Sequence, residues 1–80
     1  MKTFQLIIAR VDGPVYDGPA VSVTVPGAAG EMTILAHHAA IISPLRKGTI
    51  EVRREDGDTE SFSLLSGTLE VSGDVVSILI

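Results

Sequence analysis

The stretch Ala20-Val21-Ser22-Val23-Thr24-Val25 alternates apolar and small polar side chains without a break. A period of two puts Val21, Val23 and Val25 on one face and Ser22 and Thr24 on the other, the pattern of a half-buried strand. Working outward, Thr49 to Arg53 repeats it with Ile50 and Val52 inward, and Ser61 to Leu64 repeats it with Phe62 and Leu64 inward. Thr3 to Val11 and Val75 to Ile80 are more continuously apolar, which predicts terminal strands buried on both sides or covered by a partner. Turn chemistry separates the runs: Asp12-Gly13-Pro14, Asp17-Gly18-Pro19, Pro26-Gly-Ala-Ala-Gly30, Asp56-Gly57-Asp58, Ser66-Gly67 and Ser72-Gly73-Asp74. Glu55-Asp56-Gly57-Asp58 between two alternating runs reads as a hairpin. Leu35 to Leu45 is alanine-containing, but Pro44 and the β-branched Ile41-Ile42 argue against a long helix, so it reads as a connection with a short extended piece. The expected fold is all-β, a small flattened β-sandwich or barrel of about eight to ten short strands.

The chain has 80 residues, of which 45 % are hydrophobic and 20 % charged. That is the composition of a globular domain, and residues 1–80 are read as one. At this size the expected stability is only about 4 to 12 kcal/mol. There is no cysteine to add a disulfide, and a reducing compartment is permitted without being required. Six basic against ten acidic side chains give a net charge of −4, and the aromatics are only Phe4, Tyr16 and Phe62. Nucleic-acid binding, which needs a basic stripe interleaved with stacking aromatics, is excluded on that ground. The longest apolar stretches are short or broken by His37, His38, Ser43 and Ser77, so no spanning helix is expected. Gln5 and Arg10 break the apolar run after Lys2, so the start reads as a strand and not a signal peptide.

Catalytic constellations are weak. There is no Gly-x-Ser-x-Gly elbow, and Ser66-Gly67 reads as a turn pair. Adjacent His37 and His38 point to opposite sides of an extended chain, and nothing in the spacing selects Glu31 as a third zinc ligand. Gly27-Ala-Ala-Gly30 runs into Glu31, whose charge repels phosphate. Lys47 precedes a glycine near a turn, the place of the modified lysine in a lipoyl or biotinyl carrier domain, but Pro44-Leu-Arg-Lys-Gly48 lacks the expected acidic or Met neighbours. No cofactor and no metal are implied. An unrelated β-sandwich binding module and a carrier domain remain the alternative readings.

Val25-Pro-Gly-Ala-Ala-Gly-Glu31, Ile34-Leu35, His38-Ala39, Pro44-Leu-Arg-Lys-Gly48, Ser66-Gly67, Leu69-Glu70-Val71 and Val76-Ser77-Ile78-Leu79 run in one order along the chain. Together they resemble the N-terminal β-sandwich domain of the epsilon subunit of F-type ATP synthases, delta in mitochondria. Phe4 to Ile8 and Tyr16-Asp17-Gly18 fit its opening strands. The family's Pro-Gly before the histidine is Ala36-His37 here, the proline after His-Ala is Ala40, and the second glycine of its Gly-Gly pair is Thr68. Family members typically carry two C-terminal helices after the sandwich, whereas this sequence stops at Ile80, either as a short form or because the helices are cut away. Neither the inhibitory movement nor the ATP sensing of those helices is therefore expected.

The resemblance implies a non-catalytic rotor subunit of the central stalk, coupling ion-driven rotation to ATP synthesis. Its implied partners are the gamma subunit and the polar loops of the c-ring, with the catalytic head reached indirectly. It would sit peripherally on the cytoplasmic face of the bacterial inner membrane, or less expectedly in a plastid, touching the membrane only through the complex. Carried over by position, Gly30, Glu31 and Met32 match the loop facing the c-ring, with Glu31 paired to a basic or amide side chain. Arg10, His38 and Ser43 match positions facing gamma.

Overall fold

The computed structural model describes residues 2–80; Met1, the first residue of the predicted 1–80 domain, lies outside them. Among the described residues there are nine strands and no helix: β1 Phe4–Arg10, β2 Gly13–Ala20, β3 Ser22–Gly27, β4 Gly30–Leu35, β5 Ile41–Leu45, β6 Gly48–Arg53, β7 Thr59–Leu64, β8 Gly67–Ser72 and β9 Val75–Leu79. The all-β expectation and the strand number hold. The short extended piece expected between Leu35 and Leu45 is β5, reached through a turn at Ala36-His37.

The strands form one curled sheet in the order β2-β1-β9-β8-β5-β3-β6-β7, with β4 on the free side of β3. One half, β2-β1-β9-β8-β5, meets the other at a single bridge, Gly27 to Leu45, so the sheet bends there and folds onto itself. The facing sides share one core: Phe4, Leu6, Ile8, Leu69, Val71, Val76 and Ile78 from the first half, against Val23, Val25, Ile34, Ile50, Val52 and Leu64 from the second. The far edges, β2 and β7, are drawn together by side chains. Tyr16 and Phe62 stack edge to face with centroids 6.1 Å apart, and Arg10 Nη2 donates to the Ser63 carbonyl at 3.3 Å.

Two sequence expectations are corrected. Asp17-Gly18-Pro19 is not a turn but the last stretch of β2. Because β2 is an edge strand, Pro14 and Pro19 cost it no ladder bond that a central strand would need. The terminal strands are not buried on both sides. In β1 only Phe4, Leu6 and Ile8 are fully buried while Ile7 and Ala9 face outward, and in β9 Leu79 is 59 % exposed. Of the two expected explanations for their apolar runs, burial on both faces is removed. Strands β1 and β9 pair in parallel, from Gln5 with Val75 to Ala9 with Leu79.

Candidate docking surfaces

The register sorts the turns to two ends of the sandwich. One end carries the turns at Val11-Asp12, Ala28-Ala29, Arg46-Lys47 and Leu65-Ser66. The other carries the Ala36–Ala40 loop, the Arg54–Asp58 loop and the Gly73-Asp74 turn.

At the first end the β3–β4 hairpin is tightly held. A side chain on buried Gly27 would meet the Gly30 carbonyl oxygen at 2.6 Å and Met32 Cε at 3.1 Å, so only glycine closes the strand pair there. Gly30 has φ +137°, a conformation that side chains rarely adopt. The tip is tied to the next loop by Ala28 N–H donating to Pro44 O at 3.0 Å and Arg46 N–H donating to Pro26 O at 2.9 Å. This rigid base presents Glu31 outward, opposite Pro26. Glu31 is exposed and has no hydrogen-bond or ion-pair partner among the described residues. Met32 turns the other way and packs against the core. Gly30, Glu31 and Met32 are thus the opening of strand β4, not a loop, and only the carboxylate is displayed.

Arg10, His38 and Ser43 are not brought together. Arg10 ends β1 at the same end as Glu31, where it bonds Ser63. His38 precedes β5 at the opposite end: Ile41, the first residue of β5, lies in line with Val71, Val76 and Leu6, four residues before Arg10. The His38 Nδ1 lies 2.7 Å from the Ala39 carbonyl, which can only accept, so the neutral ring carries its proton on Nδ1. His37 holds the preceding turn at φ 66°. Ser43 lies midway along β5, in register with core residues Leu69 and Ile78, and its hydroxyl donates to Pro44 O at 3.2 Å.

The outer faces of the two halves differ sharply. The second half presents Ser22, Thr24, Glu31, Thr33, Glu51, Arg53, Ser61 and Ser63, a largely polar surface with Leu35, 55 % exposed, beside Ser22. The first half presents Ile7, Ala9, Leu79, Ile42 and Pro44 in neighbouring rows, interrupted by Ser77, Thr68 and Glu70. Ile42 is 71 % and Leu79 59 % exposed. Ile7, Ala9 and Leu79 adjoin one another while Ile42 and Pro44 lie beyond the polar outer residues of β8, and an exposed apolar cluster of this kind is a candidate partner site. The carried-over positions do not include it, although the largely apolar runs of β1 and β9 were its signal.

Sequence reading also missed Arg54. Its guanidinium bridges Asp56 at 2.9 Å, Glu60 at 2.9 Å and Asp58 at 3.4 Å, folding the β6–β7 loop around one cation. The Asp58 backbone N–H, together with Arg54, holds the Asp56 carboxyl below its ordinary range. Among the described residues no group of three or more His, Cys, Asp or Glu is placed to hold a metal ion, and no helix is long and apolar enough to cross a membrane.

Comparison with known proteins agrees over nearly the whole chain. The family model for the ATP synthase delta/epsilon chain β-sandwich domain matches residues 3–80. The ATP synthase epsilon chain of Sulfurimonas denitrificans is 38 % identical over 80 residues, covering 100 % of this chain and 62 % of the relative. Those of Bordetella petrii and Bacillus subtilis are each 38 % identical over 79 residues, covering 99 % of this chain and 56 % and 59 % of the relatives. The chain therefore spans somewhat over half the length of these curated relatives. Among solved structures, a chain of the Euglena gracilis mitochondrial ATP synthase OSCP/F1/c-ring assembly superposes with TM-score 0.91 at 28 % identity, over 96 % of this chain and 49 % of that one. A chain of the Tetrahymena thermophila mitochondrial ATP synthase central stalk/c-ring shares the fold, with TM-score 0.80 at 13 % identity, over 98 % of this chain and 63 % of that one. With its family model matched over residues 3–80, the chain belongs to the β-sandwich domain family of the ATP synthase delta/epsilon chain.

Proposed function

We propose that residues 1–80 act as a single epsilon-type domain in the rotor of an ATP synthase, a non-catalytic central-stalk part that grips the gamma subunit and rests on the c-ring. The observation that carries this reading is the contrast between the polar outer face of one half and the apolar outer face of the other. A clamp needs one adhesive side and one solvated side. In this reading gamma covers Ile7, Ala9, Ile42 and Leu79, with Arg10 and His38 at the two ends of the same half and Ser43 on the inner side of its strand β5. Glu31, displayed on the rigid hairpin that Gly30 shapes and Met32 backs, meets a basic or amide group of the c-ring loops. Buried apolar contact carries most of the affinity, and an exposed rim charge such as Glu31 adds about 0 to 1 kcal/mol. The domain makes and breaks no bond; it transmits torque. It is peripheral to an energy-transducing membrane, on the cytoplasmic face in a bacterium, and reaches that membrane only through the complex.

The test is to tag the chain in its source cells, solubilise the membranes gently and identify the co-purifying proteins by mass spectrometry. Recovery of gamma with the catalytic subunits is the expected result. Recovery of neither, from an extract in which intact ATP synthase is visible, refutes the assignment.

A further inference from the structure

An edge strand displays unpaired backbone N–H and C=O groups, and natural sheets blunt such edges with proline, lysine, bulges or a covering element. Three open edges here are blunted. Strand β2 contains Pro14 and Pro19 and faces a register irregularity between Ile8 and Ala9 of β1. Strand β7 is engaged by Arg10 and Tyr16. Strand β5 holds Pro44, whose carbonyl is taken by Ala28. Strand β4, Gly30-Glu-Met-Thr-Ile-Leu35, contains no proline, lysine or bulge and pairs on one side only, with β3.

We propose that the free domain self-associates through β4, two copies pairing antiparallel about a two-fold axis through Thr33. This inference stands independently of the rotor reading. The two-residue turn closes at the Gly27–Gly30 pair, so Gly30, Met32 and Ile34 direct their amides to β3, leaving those of Glu31, Thr33 and Leu35 toward the open side. Side-chain alternation requires the axis to pass through a residue, since an axis between residues sets outward against inward side chains. Centring it on Thr33 uses all three open-side residues. Glu31 then lies opposite Leu35 of the second copy and Thr33 opposite Thr33, with Met32 opposite Ile34 on the core side.

No like charges meet across this register, and Leu35, 55 % exposed in the single chain, gains cover. Thr33 already lies 3.0 Å from Thr24, hydroxyl to hydroxyl, so the pairing extends a two-threonine row to four. The occupant is a second copy because the strand paired with itself keeps side chains of matching facing together and sets its one charge, Glu31, opposite Leu35 and away from the Glu31 of the other copy. The contact is narrow, at the small end of interface sizes, so the dimer is weak and exchanges rapidly.

Sedimentation equilibrium from micromolar to millimolar protein tests this, with the apparent mass expected to rise from one copy toward two. Thr33→Lys, and independently Thr33→Pro, whose lost N–H points to the open side, are each expected to weaken the association at least about tenfold while circular dichroism shows the fold retained. The chain has no cysteine, so Thr33→Cys gives a single thiol at a Cα separation of about 5.5 Å across the axis. This variant is expected to oxidise to a disulfide dimer, and Ser61→Cys on β7 is expected to form no disulfide dimer under the same conditions. A single-copy mass at every concentration, or a dimer unaffected by Thr33→Lys, overturns the proposal.

Discussion

Three glycines separate crowding from backbone conformation as reasons for glycine. Gly27 is buried in an ordinary extended conformation, yet an added Cβ would sit 2.6 Å from the Gly30 carbonyl oxygen, a backbone atom of a closed two-residue turn that has little room to retreat. Overpacking of this kind costs about 1 to 3 kcal/mol. The loss of unfolded-chain freedom on replacing glycine returns about 0.4 to 1 kcal/mol, so Gly27→Ala should destabilise by about 1 to 2 kcal/mol. For a domain of this size each kcal/mol lowers the melting temperature by about 4 to 8 °C. The expected drop is therefore about 5 to 15 °C. Gly30 has open space but φ +137°, so Gly30→Ala should cost about 1 to 3 kcal/mol from backbone strain alone. Gly18 has open space and no such φ, so Gly18→Ala should be neutral or slightly stabilising, within about 0.5 kcal/mol. Thermal unfolding followed by circular dichroism reads all three. If Gly27→Ala melts within about 2 °C of the parent, or Gly18→Ala loses as much as Gly27→Ala, the hairpin account is wrong.

Two further outcomes follow from side chains the sequence did not single out. Asp56 has its carboxyl pKa lowered from 3.8 by the Asp58 N–H and by Arg54, so its contribution to stability is present above the unfolded pKa and is lost as pH falls through the folded one. Melting temperature should therefore fall as pH drops below about 4, and Asp56→Asn should fall less steeply than the parent; equal slopes refute the clamp. Leu79 is exposed on the apolar face, so Leu79→Asp should shift the stability of the free domain by no more than about 0.5 kcal/mol. It should nevertheless abolish recovery of gamma in the co-purification, and undiminished recovery would remove that face from the docking surface.

Strand content was legible because burial leaves its mark on side-chain order. Val23, Val25, Ile50 and Val52 are fully buried where the period of two predicts them. Asp17-Gly18-Pro19 was misread because the residues that suit a turn also suit an edge strand, and edge status depends on which strands pair across the chain. The parallel pairing of β1 with β9 joins residues some seventy positions apart, and no local pattern encodes it. The spatial separation of the candidate gamma-facing residues was not legible for the same reason. His38 and Ser43 are only five positions apart, yet the loop leading into β5 puts His38 at the end of the sandwich opposite Arg10. Arg54 escaped notice because a basic residue before Glu55-Asp56-Gly57-Asp58 resembles any hairpin charge until the turn wraps its carboxylates around it.

The continuous apolar runs of the terminal strands link the fold to its role. Inward, Leu6, Ile8, Val76 and Ile78 are 0 to 1 % exposed and are fully used by the core. Outward, Ile7, Ala9 and Leu79 contribute little to the stability of the free domain, so a sequence selected only for folding would gain solubility from polar residues there. The second half takes that course, with Thr24, Thr33, Glu51 and Ser61 on its outer side. Leu35 is the exposed apolar exception on that side, and in the proposed docking the Ile7, Ala9 and Leu79 cluster of the β1–β9 layer is the side that meets the partner. Any partner selective for the folded form also raises the stability of a domain whose own margin is thin. In the proposed docking, folding and partner binding are coupled through the same two strands, whose inner residues hold the core and whose outer residues would meet the partner.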